Sequence, residues 1–397
     1  MLVRYGKDKD GRPVKKAVVY TKDEHRIPIE KIDSDAIRII ERLKENGHSA
    51  YFVGGAVRDL LVGNTPKDFD IVTDATPSRI RRLFRSARII GRRFRLVHVV
   101  VGPKIFEVST FRSTVEGSVG NDFGTMDEDV MRRDFTLNAL YYDPIQEQVI
   151  DYVGGVRDIR KGVIRPVIPL ERIFVEDPVR MLRAIKYSVI THCSMQWQLR
   201  HKIKKSAELL SPISPSRLTE EIFKIMNSGH AFDIVSEALD MDVYMHLQPA
   251  ACDCIASDKE FEKNYLANLK RLDALNTVEK DARLGKKLVF LVKDFMLSLT
   301  DWQKEIACGS AVGELYEMTW NEVRRFVLPM NPPRVELEYA IRSVLREIGL
   351  NIRPPKSPRP ENAETPYGPK RRRRRHKRRS AGDAPSELNA AFSFSAS

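Results

Sequence analysis

Residues 51–70 read YFVGGAVRDLLVGNTPKDFD, in which a short apolar segment is followed by two glycines, an Arg-Asp pair and two closely spaced aspartates. Gly54 and Gly55 have no Cβ, so the backbone there can turn sharply and approach a phosphate closely. Residues 56–61 are predicted to begin a helix, whose free N–H groups attract anions. Arg58 adds a fork of donors that matches phosphate oxygens. Each of these features suits a site that binds a nucleoside triphosphate.

The end of the same stretch carries candidate metal ligands. Asp68 and Asp70 flank Phe69, and in a strand this alternation puts both carboxylates on one face and the phenyl ring in the core. Glu107, in a predicted neighbouring strand, is a candidate third carboxylate, because two-metal phosphoryl transfer commonly uses more than two acidic ligands. A glycine pair alone is usually a turn, and an Asp-x-Asp alone is usually a solvated loop or a helix cap. Their order within 20 residues favours a site for a triphosphate and its magnesium.

The composition is that of a globular protein with room for two or three domains. The chain has 397 residues, of which 42% are hydrophobic, and it has no run of about 18 apolar residues that would predict a membrane span. The first residues, MLVRYGKDKDGR, lack the apolar core of a signal peptide. The cysteines, at positions 193, 252, 254 and 308, are too few and too scattered for a disulfide framework. We therefore expect a cytoplasmic protein without membrane association.

The basic charge is concentrated near the C-terminus. The formal net charge is +13, and the last 47 residues contribute +8 of it, with 12 Lys/Arg against 4 Asp/Glu. The run KRRRRRHKRR at 370–379 is predicted to bind RNA without sequence preference and to lose affinity steeply with salt. Charge alone leaves RNA, DNA and an anionic membrane open as partners. The basic residues of the run are Lys370, Arg371, Arg372, Arg373, Arg374, Arg375, Lys377, Arg378 and Arg379.

Hydrophobic patterning predicts regular structure between residues 33 and 111. Ser34 is a candidate N-cap of a helix that ends near Gly47, and Pro77 is predicted to begin another helix, capped by Asp74 or Thr76. Strands are predicted at 50–53, through the two aspartates, at 96–101 and at 104–111. From about residue 176 onward the pattern is mostly helical. Residues 1–32 are predicted to form a mobile arm, 113–126 a flexible loop and 354–397 a disordered tail.

Three further segments carry candidate functional residues. In RRDFTLNAL, at 132–140, Arg133 is placed to reach a triphosphate, and Asp134 could orient a neighbouring arginine or cap the next helix. In EDPVRMLR, at 176–183, an aspartate and arginines on one rigid surface could read the edge of a nucleobase. Taken alone, each of these two segments is better explained as a capped helix with solvated arginines. In GRRFRLVHV, at 91–99, the three arginines Arg92, Arg93 and Arg95 are candidates for phosphate binding and are predicted to contact RNA, and His98 is favoured as a core or supporting histidine.

The motifs GGAVRD, KDFD, FEVSTFR, RRDFT, DYVGGVRDI and EDPVRMLR occur in this order. As a set they resemble the class II tRNA nucleotidyltransferase and bacterial poly(A) polymerase family, over about residues 30–230. The resemblance implies an α+β fold, in which a polymerase-β-like nucleotidyltransferase head with a mixed sheet precedes a mostly helical neck, body and tail. It divides the chain into an arm at 1–32, a head at 33–165, a neck with nucleotide-selecting helices at 166–230, an RNA-binding body and tail at 231–353, and a disordered Arg-rich segment at 354–397.

The resemblance also implies roles for single residues. Asp68 and Asp70 match the magnesium ligands, with Glu107 assisting, and Asp134 matches a position treated as catalytic in the poly(A) polymerase branch. The Asp177–Arg180 pair matches the residues that select the base without a nucleic-acid template, and the motif SRLTEEI at 216–222 matches one that supports this helical region. The nucleotide-binding set is Gly54, Gly55, Arg58, Arg133, Asp177, Arg180 and Arg183.

Two features resemble the poly(A) polymerase branch in particular, namely the GRRFRLVHV block and the Arg-rich C-terminus. The predicted activity is therefore template-independent addition of AMP from ATP to RNA 3′ ends, at a two-metal site that holds Mg²⁺, or Mn²⁺ in its place. We expect the substrates to be messenger, small or transfer RNA, the protein to be a monomer, and its protein partners to be RNA-decay or RNA-chaperone factors. Two alternatives remain open: a CCA-adding tRNA nucleotidyltransferase, and an RNA-binding adaptor that keeps the fold as a scaffold.

Overall fold

The computed structural model describes residues 2–7, 12–91, 95–113 and 123–352. Contacts group Met1–Arg353 into one compact unit, and the other unit, Pro354–Ser397, lies outside the described residues. The predicted RNA-binding run at 370–379, the predicted disordered tail, Arg92, Arg93 and most of the predicted loop at 113–126 therefore also lie outside them.

A mixed sheet forms the N-terminal half of the fold. Its strands, in the described residues, follow the order β1-β2-β9-β8-β3-β4-β7-β6-β5. Neighbouring strands are antiparallel except for β4 and β7, which are parallel. The strands are β1 (Leu2–Lys7), β2 (Pro13–Tyr20), β3 (Ala50–Val53), β4 (Ile71–Thr73), β5 (Ala87–Ile90), β6 (Leu96–Val101), β7 (Lys104–Thr110), β8 (Leu140–Asp143) and β9 (Gln148–Asp151), with a separate parallel pair of β10 (Val163–Ile164) and β11 (Ser194–Met195).

Helices cover the sheet and form most of the chain after β10. The helices near the sheet are α1 (Lys22–His25), α2 (Ser34–Glu45), α3 (Gly55–Leu61), α4 (Pro77–Leu83), α5 (Met126–Met131) and α6 (Gly155–Lys161). The later ones are α7 (Ile173–Glu176), α8 (Arg180–Thr191), α9 (Trp197–Ser206), α10 (Pro215–Met226), α11 (Ala231–Asp240), α12 (Pro249–Ser257), α13 (Lys259–Val278), α14 (Leu284–Leu299), α15 (Trp302–Ala307), α16 (Val312–Phe326) and α17 (Arg334–Glu347). The prediction of a mixed-sheet head followed by a mostly helical region is confirmed.

The strands nearest the site follow the predicted alternation. In β7, Phe106, Val108 and Thr110 are buried, whereas Ile105 and Glu107 are exposed. β3 and β6 also have the predicted bounds. The helix that begins at Pro77 is capped by Thr76, whose side chain accepts a hydrogen bond from the Arg79 amide.

The prediction of a mobile arm at residues 1–32 is wrong for the described part of that segment. β1 and β2 pair as a hairpin, and β2 continues the sheet by pairing with β9, where Val19 lies opposite Ile150. Leu2 and Tyr5 on β1 are 54% and 65% exposed, so this edge strand has little of the buried alternation that reveals a strand in a sequence. The pairing of β2 with β9, about 130 residues away in the chain, is what joins the two strands to the sheet.

Smaller corrections concern the starts of three elements. The two aspartates do not lie in a strand, because β4 begins at Ile71, directly after them. The N-cap of α2 is Asp33 rather than Ser34, since Asp33 accepts a hydrogen bond from the Asp35 amide. α8 begins at Arg180, so the capped helix considered for EDPVRMLR, at 176–183, starts only at the fifth residue of that segment.

The two largest hydrophobic clusters of the described residues belong to the sheet and to the helical region. One is formed by the sheet with α2, α3 and α4, and includes Phe52, Phe69 and Val108. The other fills the helical region, yet it also contains Phe135 and Leu137 from the sheet half of the chain. In the described residues, no helix is both long and apolar enough to cross a membrane.

A glycine in the DYVGGVRDI motif gives a test of this packing. An added Cβ at Gly155 would lie 2.2 Å from the Thr136 carbonyl oxygen, whereas one at Gly313 in α16 would have nothing within 4 Å. We expect Gly155→Ala to lower the free energy of unfolding by about 3 kcal/mol, as overpacking against rigid backbone does. The matched control Gly313→Ala should change it by less than about 1 kcal/mol, in the stabilising direction. Urea denaturation of both variants measures the difference, and equal effects would contradict the described packing.

Candidate active site

The glycine turn and the two aspartates are held side by side at the end of β3. Gly54 has φ +71° and ψ −126°, a conformation that L side chains rarely adopt, and it precedes the first turn of α3. The amide of Val53 donates to the Asp70 carbonyl at 3.1 Å, which joins the turn to the DFD segment. A Cβ at Gly54 would lie 3.6 Å from Nη1 of Arg133. The glycine therefore leaves room for the Arg133 guanidinium beside the turn.

The DFD segment keeps the predicted alternation although it is not a strand. Asp68 and Asp70 are exposed, and Phe69 between them is buried against Phe52, with ring centroids 5.2 Å apart. Burial of the ring fixes the backbone and directs both carboxylates outward.

Glu107 is brought next to this pair by the parallel pairing of β4 and β7. Ile71 lies opposite Val108, so the residues that precede them, Asp70 and Glu107, are neighbours across the strands. On its other side Glu107 lies opposite His98 of β6, with 3.5 Å between His98 Nε2 and Glu107 Oε1. The expectation of a supporting role for His98 agrees with this contact, whereas a core position does not, because the ring is partly exposed.

The electrostatics of the cleft are unfavourable for its own carboxylates. The pKa of Asp70 is raised to about 6, first by desolvation among the surrounding protein atoms and then by repulsion from Glu107 and Asp68. Arg133 acts in the opposite direction. Part of Asp70 is accessible to solvent, so a ligand can reach it. Protein atoms nevertheless surround the carboxylate closely, so water solvates it poorly.

The donor chemistry of these side chains fits a divalent cation. Magnesium is commonly bound by one or two carboxylates together with substrate phosphates and water. Asp68 and Asp70 supply two such carboxylates, whose repulsion a cation would relieve. In the part of the chain that the structure describes, no three His, Cys, Asp or Glu side chains form a complete metal site. Glu107 is thus near enough to shift the pKa of Asp70 but is not gathered with the aspartates into a three-ligand cluster.

Arg133 is fixed beside the glycine turn by contacts to the sheet half of the chain. Its guanidinium donates to Asp129 Oδ2 at 2.7 Å, to the Tyr141 hydroxyl at 3.2 Å and to the Asn138 carbonyl at 3.3 Å. Asp129 lies four residues earlier, at the end of α5, and is buried. The arrangement orients Arg133 toward the cleft that holds Asp70.

Arg58 is buried and has several partners. It is 6% exposed, its Nη1 donates to Asn138 Oδ1 at 2.8 Å, and its Nη2 pairs with Asp59 at 2.7 Å. A Cβ at Gly55 would lie 3.6 Å from Arg58 Nη2. The guanidinium therefore lies against the glycine turn, and its predicted contact with phosphate stays a prediction.

Asp134 orients an arginine, as one of the sequence alternatives proposed. The carboxylate is 4% exposed, and its Oδ1 accepts from the Phe135 amide at 2.7 Å and from Asn138 Nδ2 at 3.2 Å. Its Oδ2 forms an ion pair with Arg183 on α8, 3.0 Å from Nη2, although the geometry is not that of a hydrogen bond. A buried carboxylate with these partners is suited to positioning Arg183, and its catalytic role stays a prediction.

The predicted base-selecting pair, Asp177 and Arg180, is held from two sides. Asp177 Oδ1 accepts from the Val179 amide at 3.1 Å, and its Oδ2 lies 2.7 Å from Nη2 of Arg217, which belongs to the SRLTEEI motif. Arg180 donates to Glu176 Oε2 at 3.0 Å and to the Ile173 carbonyl at 3.1 Å. The two residues lie on one short surface, but each has its own partner in this structure.

The last candidate residues are the three arginines that precede β6 in the sequence. Arg95 is exposed and directly precedes that strand, whereas Arg92 and Arg93 are outside the described residues. Their predicted contacts with RNA stay predictions.

The sequence interpretation missed residues that lie four positions from ones it named. Asp129 precedes Arg133, Asn138 follows Asp134, and Tyr187 follows Arg183 by this spacing. An interval of four brings side chains together on a helix or a helical turn. That interval was the available signal for these partners, whereas nothing in the sequence pairs Asp177 with Arg217.

Two segments match known families. Residues 50–165 match the family described as "Poly A polymerase head domain", and residues 194–255 match "Probable RNA and SrmB- binding site of polymerase A". The first covers the glycine turn, the aspartates and the RRDFT segment. The second begins at β11 and includes α9, α10 and α11.

Whole-chain comparisons give similar proteins of two kinds. Poly(A) polymerase I from Salmonella typhi is 36% identical over 325 residues, which cover 77% of this chain and 69% of that protein. A CCA-adding enzyme from Lactobacillus helveticus is 37% identical over 202 residues, covering 49% of this chain and 50% of that protein. The solved structure of the CCA-adding enzyme from Bacillus stearothermophilus in complex with CTP is 25% identical, with a TM-score of 0.53 over 82% of this chain and 84% of that one.

The raised pKa of Asp70 predicts a stability effect with a definite sign. Because the folded-state pKa is about 6 and the ordinary value is 3.8, ionising Asp70 costs folding free energy above about pH 6, and this cost disappears below about pH 4. We expect Asp70→Asn to raise the melting temperature at pH 8 in the presence of EDTA. Thermal denaturation at pH 8 and pH 4 checks this, and the gain should be absent at pH 4. An equal change at both pH values would contradict the assigned electrostatics.

Proposed function

Because this chain belongs to the bacterial poly(A) polymerase branch of the class II tRNA nucleotidyltransferase and poly(A) polymerase family, we propose that it adds AMP from ATP to RNA 3′ ends without a template. It is thus a polynucleotide adenylyltransferase. The observation that carries this proposal is the cleft in which exposed Asp68 and Asp70 lie beside the Gly54 turn and Arg133. The sequence similarity to Poly(A) polymerase I covers 77% of the chain and so extends over both the head and the helical region, whereas the sequence similarity to the CCA-adding enzyme from Lactobacillus helveticus covers 49% of it.

Asp68 and Asp70 would hold the divalent cation, Mg²⁺ or Mn²⁺, whose chemistry when bound is to acidify a hydroxyl and to neutralise charge on phosphate. Glu107 adds negative charge on the neighbouring strand. Catalysis of phosphoryl transfer consists mostly of positioning and charge stabilisation, so the surrounding side chains contribute by their placement.

The chain's cations would hold the triphosphate. Arg133 is pre-oriented by Asp129 and Tyr141 on one side of the glycine turn, so little side-chain entropy is lost when it meets an anion. Gly54 keeps the turn open beside it. Arg58 lies behind the turn and supports it from the buried side.

The edge of adenine would be read on the surface that begins α8. Asp177 offers carboxylate acceptors and Arg180 offers guanidinium donors, and a nucleobase edge presents the complementary set. Arg217 holds Asp177 in place through a 2.7 Å ion pair, so the acceptor keeps a fixed direction. Arg180 exchanges its contact with Glu176 for the base.

The RNA strand would contact α9, within the segment that matches the RNA-binding family. Trp197 is 72% exposed and stacks on His201, with ring centroids 5.2 Å apart and planes 13° from parallel. Lys205 continues the same exposed stripe one helical turn further on. Stacking on an aromatic side chain beside a cation binds single-stranded RNA without reading its sequence.

The decisive experiment offers purified protein two RNAs, an unstructured one and a tRNA that lacks its CCA end. Each receives ATP alone and then ATP with CTP, in the presence of Mg²⁺. A long ladder on both RNAs with ATP alone is the expected result. Addition of three nucleotides or fewer, confined to tRNA and dependent on CTP, would replace this proposal by CCA addition, the activity named for the relative from Lactobacillus helveticus.

The carboxylate pair predicts a specific loss in this assay. We expect Asp70→Ala to lower turnover by at least about 1,000-fold, because it removes a ligand of the cation and a charge that acts in the transition state. RNA affinity, measured by fluorescence anisotropy, should change less than twofold, about 0.4 kcal/mol. If neither protein turns over and both bind RNA equally, the chain is an RNA-binding adaptor and the enzyme proposal fails.

The exposed tryptophan predicts a loss of RNA affinity. We expect Trp197→Ala to weaken binding of a single-stranded RNA by roughly 5- to 100-fold, the effect of one lost base–aromatic stack. Val278→Ala is the matched control, because Val278 is also an exposed apolar residue, at 89%, near the end of α13. Anisotropy with a fluorescent RNA checks both, and equal affinities for the two variants would exclude α9 as the contact.

A further inference from the structure

We propose that Tyr187 is a positioning residue for ATP, which uses its ring to hold Arg58 and its hydroxyl to hold Arg183. The inference rests on the proposed function, because both arginines belong to the nucleotide-binding set. Tyr187 lies on α8, one turn after Arg183, and is partly buried. It connects two cations that come from different halves of the fold.

The ring of Tyr187 is the place where cations converge. The Arg58 guanidinium carbon lies 4.7 Å from the ring centroid, the Lys186 amine 5.2 Å and the Arg183 guanidinium carbon 5.8 Å. A cation within about 6 Å of an aromatic centroid is attracted by the electrons of the ring face. Phe135 packs edge-on against the same ring, with centroids 6.3 Å apart, and so fixes its plane.

The hydroxyl of Tyr187 holds Arg183 separately from the ring. Nε and Nη2 of Arg183 each donate to it at 3.3 Å. Nη2 also lies 3.0 Å from Asp134 Oδ2. Arg183 is thereby held from two directions, by a carboxylate from the RRDFT segment and by a hydroxyl from its own helix.

The charges around the ring are balanced in pairs. Arg58 pairs with Asp59 at 2.7 Å, Arg183 with Asp134 at 3.0 Å and Lys186 with Glu221 at 3.8 Å. The three carboxylates come from α3, from the segment before β8 and from α10. Like charges brought this close repel one another, and the ring face adds an attraction common to all three.

The cluster is connected directly to the nucleotide cleft. Arg58 touches the Tyr187 ring with one side of its guanidinium, and its Nη2 lies 3.6 Å from the position that a Cβ of Gly55 would occupy. α8 also carries Arg180, three residues before Arg183. Tyr187 thus holds Arg58, which lies behind the glycine turn, against α8, the helix that begins with Arg180.

The test separates the ring from the hydroxyl. Tyr187→Phe removes only the hydroxyl, and Tyr187→Leu removes the hydroxyl and the aromatic ring while keeping an apolar side chain. Tyr244→Phe is the matched control, because the Tyr244 hydroxyl also forms a hydrogen bond with one partner, the Tyr265 hydroxyl at 2.7 Å, but lies in the helical core. For each full-length variant we would measure ATP affinity by calorimetry, KM and kcat for AMP addition, and the melting temperature.

The expected result is graded and specific to the nucleotide. Tyr187→Phe should weaken ATP binding about tenfold through the lost acceptor, and Tyr187→Leu should weaken it by about 100-fold through the additional loss of the ring. Both should raise KM for ATP more than they lower kcat, and KM for RNA should stay within about twofold of the wild-type value. Tyr244→Phe should lower the melting temperature and leave ATP affinity unchanged.

Two outcomes overturn the inference. Lower melting temperatures of the Tyr187 variants with unchanged ATP affinity would make the residue a packing element alone. An equal loss of ATP affinity in Tyr187→Phe and Tyr244→Phe would show that removing any buried tyrosine hydroxyl weakens ATP binding. Failure of the proposed function is distinguishable, because a wild-type protein that binds ATP without adding AMP still reports on Tyr187 through calorimetry.

Discussion

The ion pair between the buried carboxylate of Asp134 and the partly exposed guanidinium of Arg183 is the constraint on which the arrangement of the site depends. Asp134 directly precedes Phe135, which belongs to the hydrophobic cluster of the helical region, and Arg183 is on α8, the first long helix after the sheet. A carboxylate that is 4% exposed needs a partner, because an unpaired buried charge costs several kcal/mol. Oδ1 of Asp134 accepts hydrogen bonds from the Phe135 amide and from the Asn138 side chain. The position of α8 against the sheet half is therefore set by charge as well as by packing.

A second feature is the contrast between the cations and the carboxylates of the site. The arginines Arg58, Arg133 and Arg183 are each bound by carboxylates and neutral acceptors and are fixed in place. Asp70 instead faces Asp68 and Glu107, and its pKa is raised. Groups that repel one another in the folded protein are stabilised when a cationic ligand arrives. The molecule thus maintains fixed donors around a cleft whose negative charge Arg133 offsets only in part, which is the polarity that a metal-bound triphosphate requires.

The sequence predicted the central strands well because their signal is local. β3 and β6 have the expected bounds, β7 ends one residue earlier than predicted, and Phe69 is buried between two exposed aspartates as alternation requires. β1 and β2 were missed because an edge hairpin with exposed side chains has little periodicity, and its partner β9 lies far away in the chain. The predicted strand included Asp68 and Asp70, whereas β4 begins at Ile71, one residue after Asp70. Hydrogen bonding to a neighbouring strand, and not residue type, decides where a strand starts.

The sequence by itself determined the chemistry of this protein: the glycines of the turn, the aspartate pair, the arginines and their order along the chain, from which the family follows. The tertiary structure decided which charge meets which. Arg58 reaches Asn138 across 80 residues, Arg183 reaches Asp134 across 49, and Asp177 meets Arg217 across 40. Such pairs carry no pattern along the chain, because a salt bridge depends on distance in space, and that distance is set by how the sheet and the helices pack.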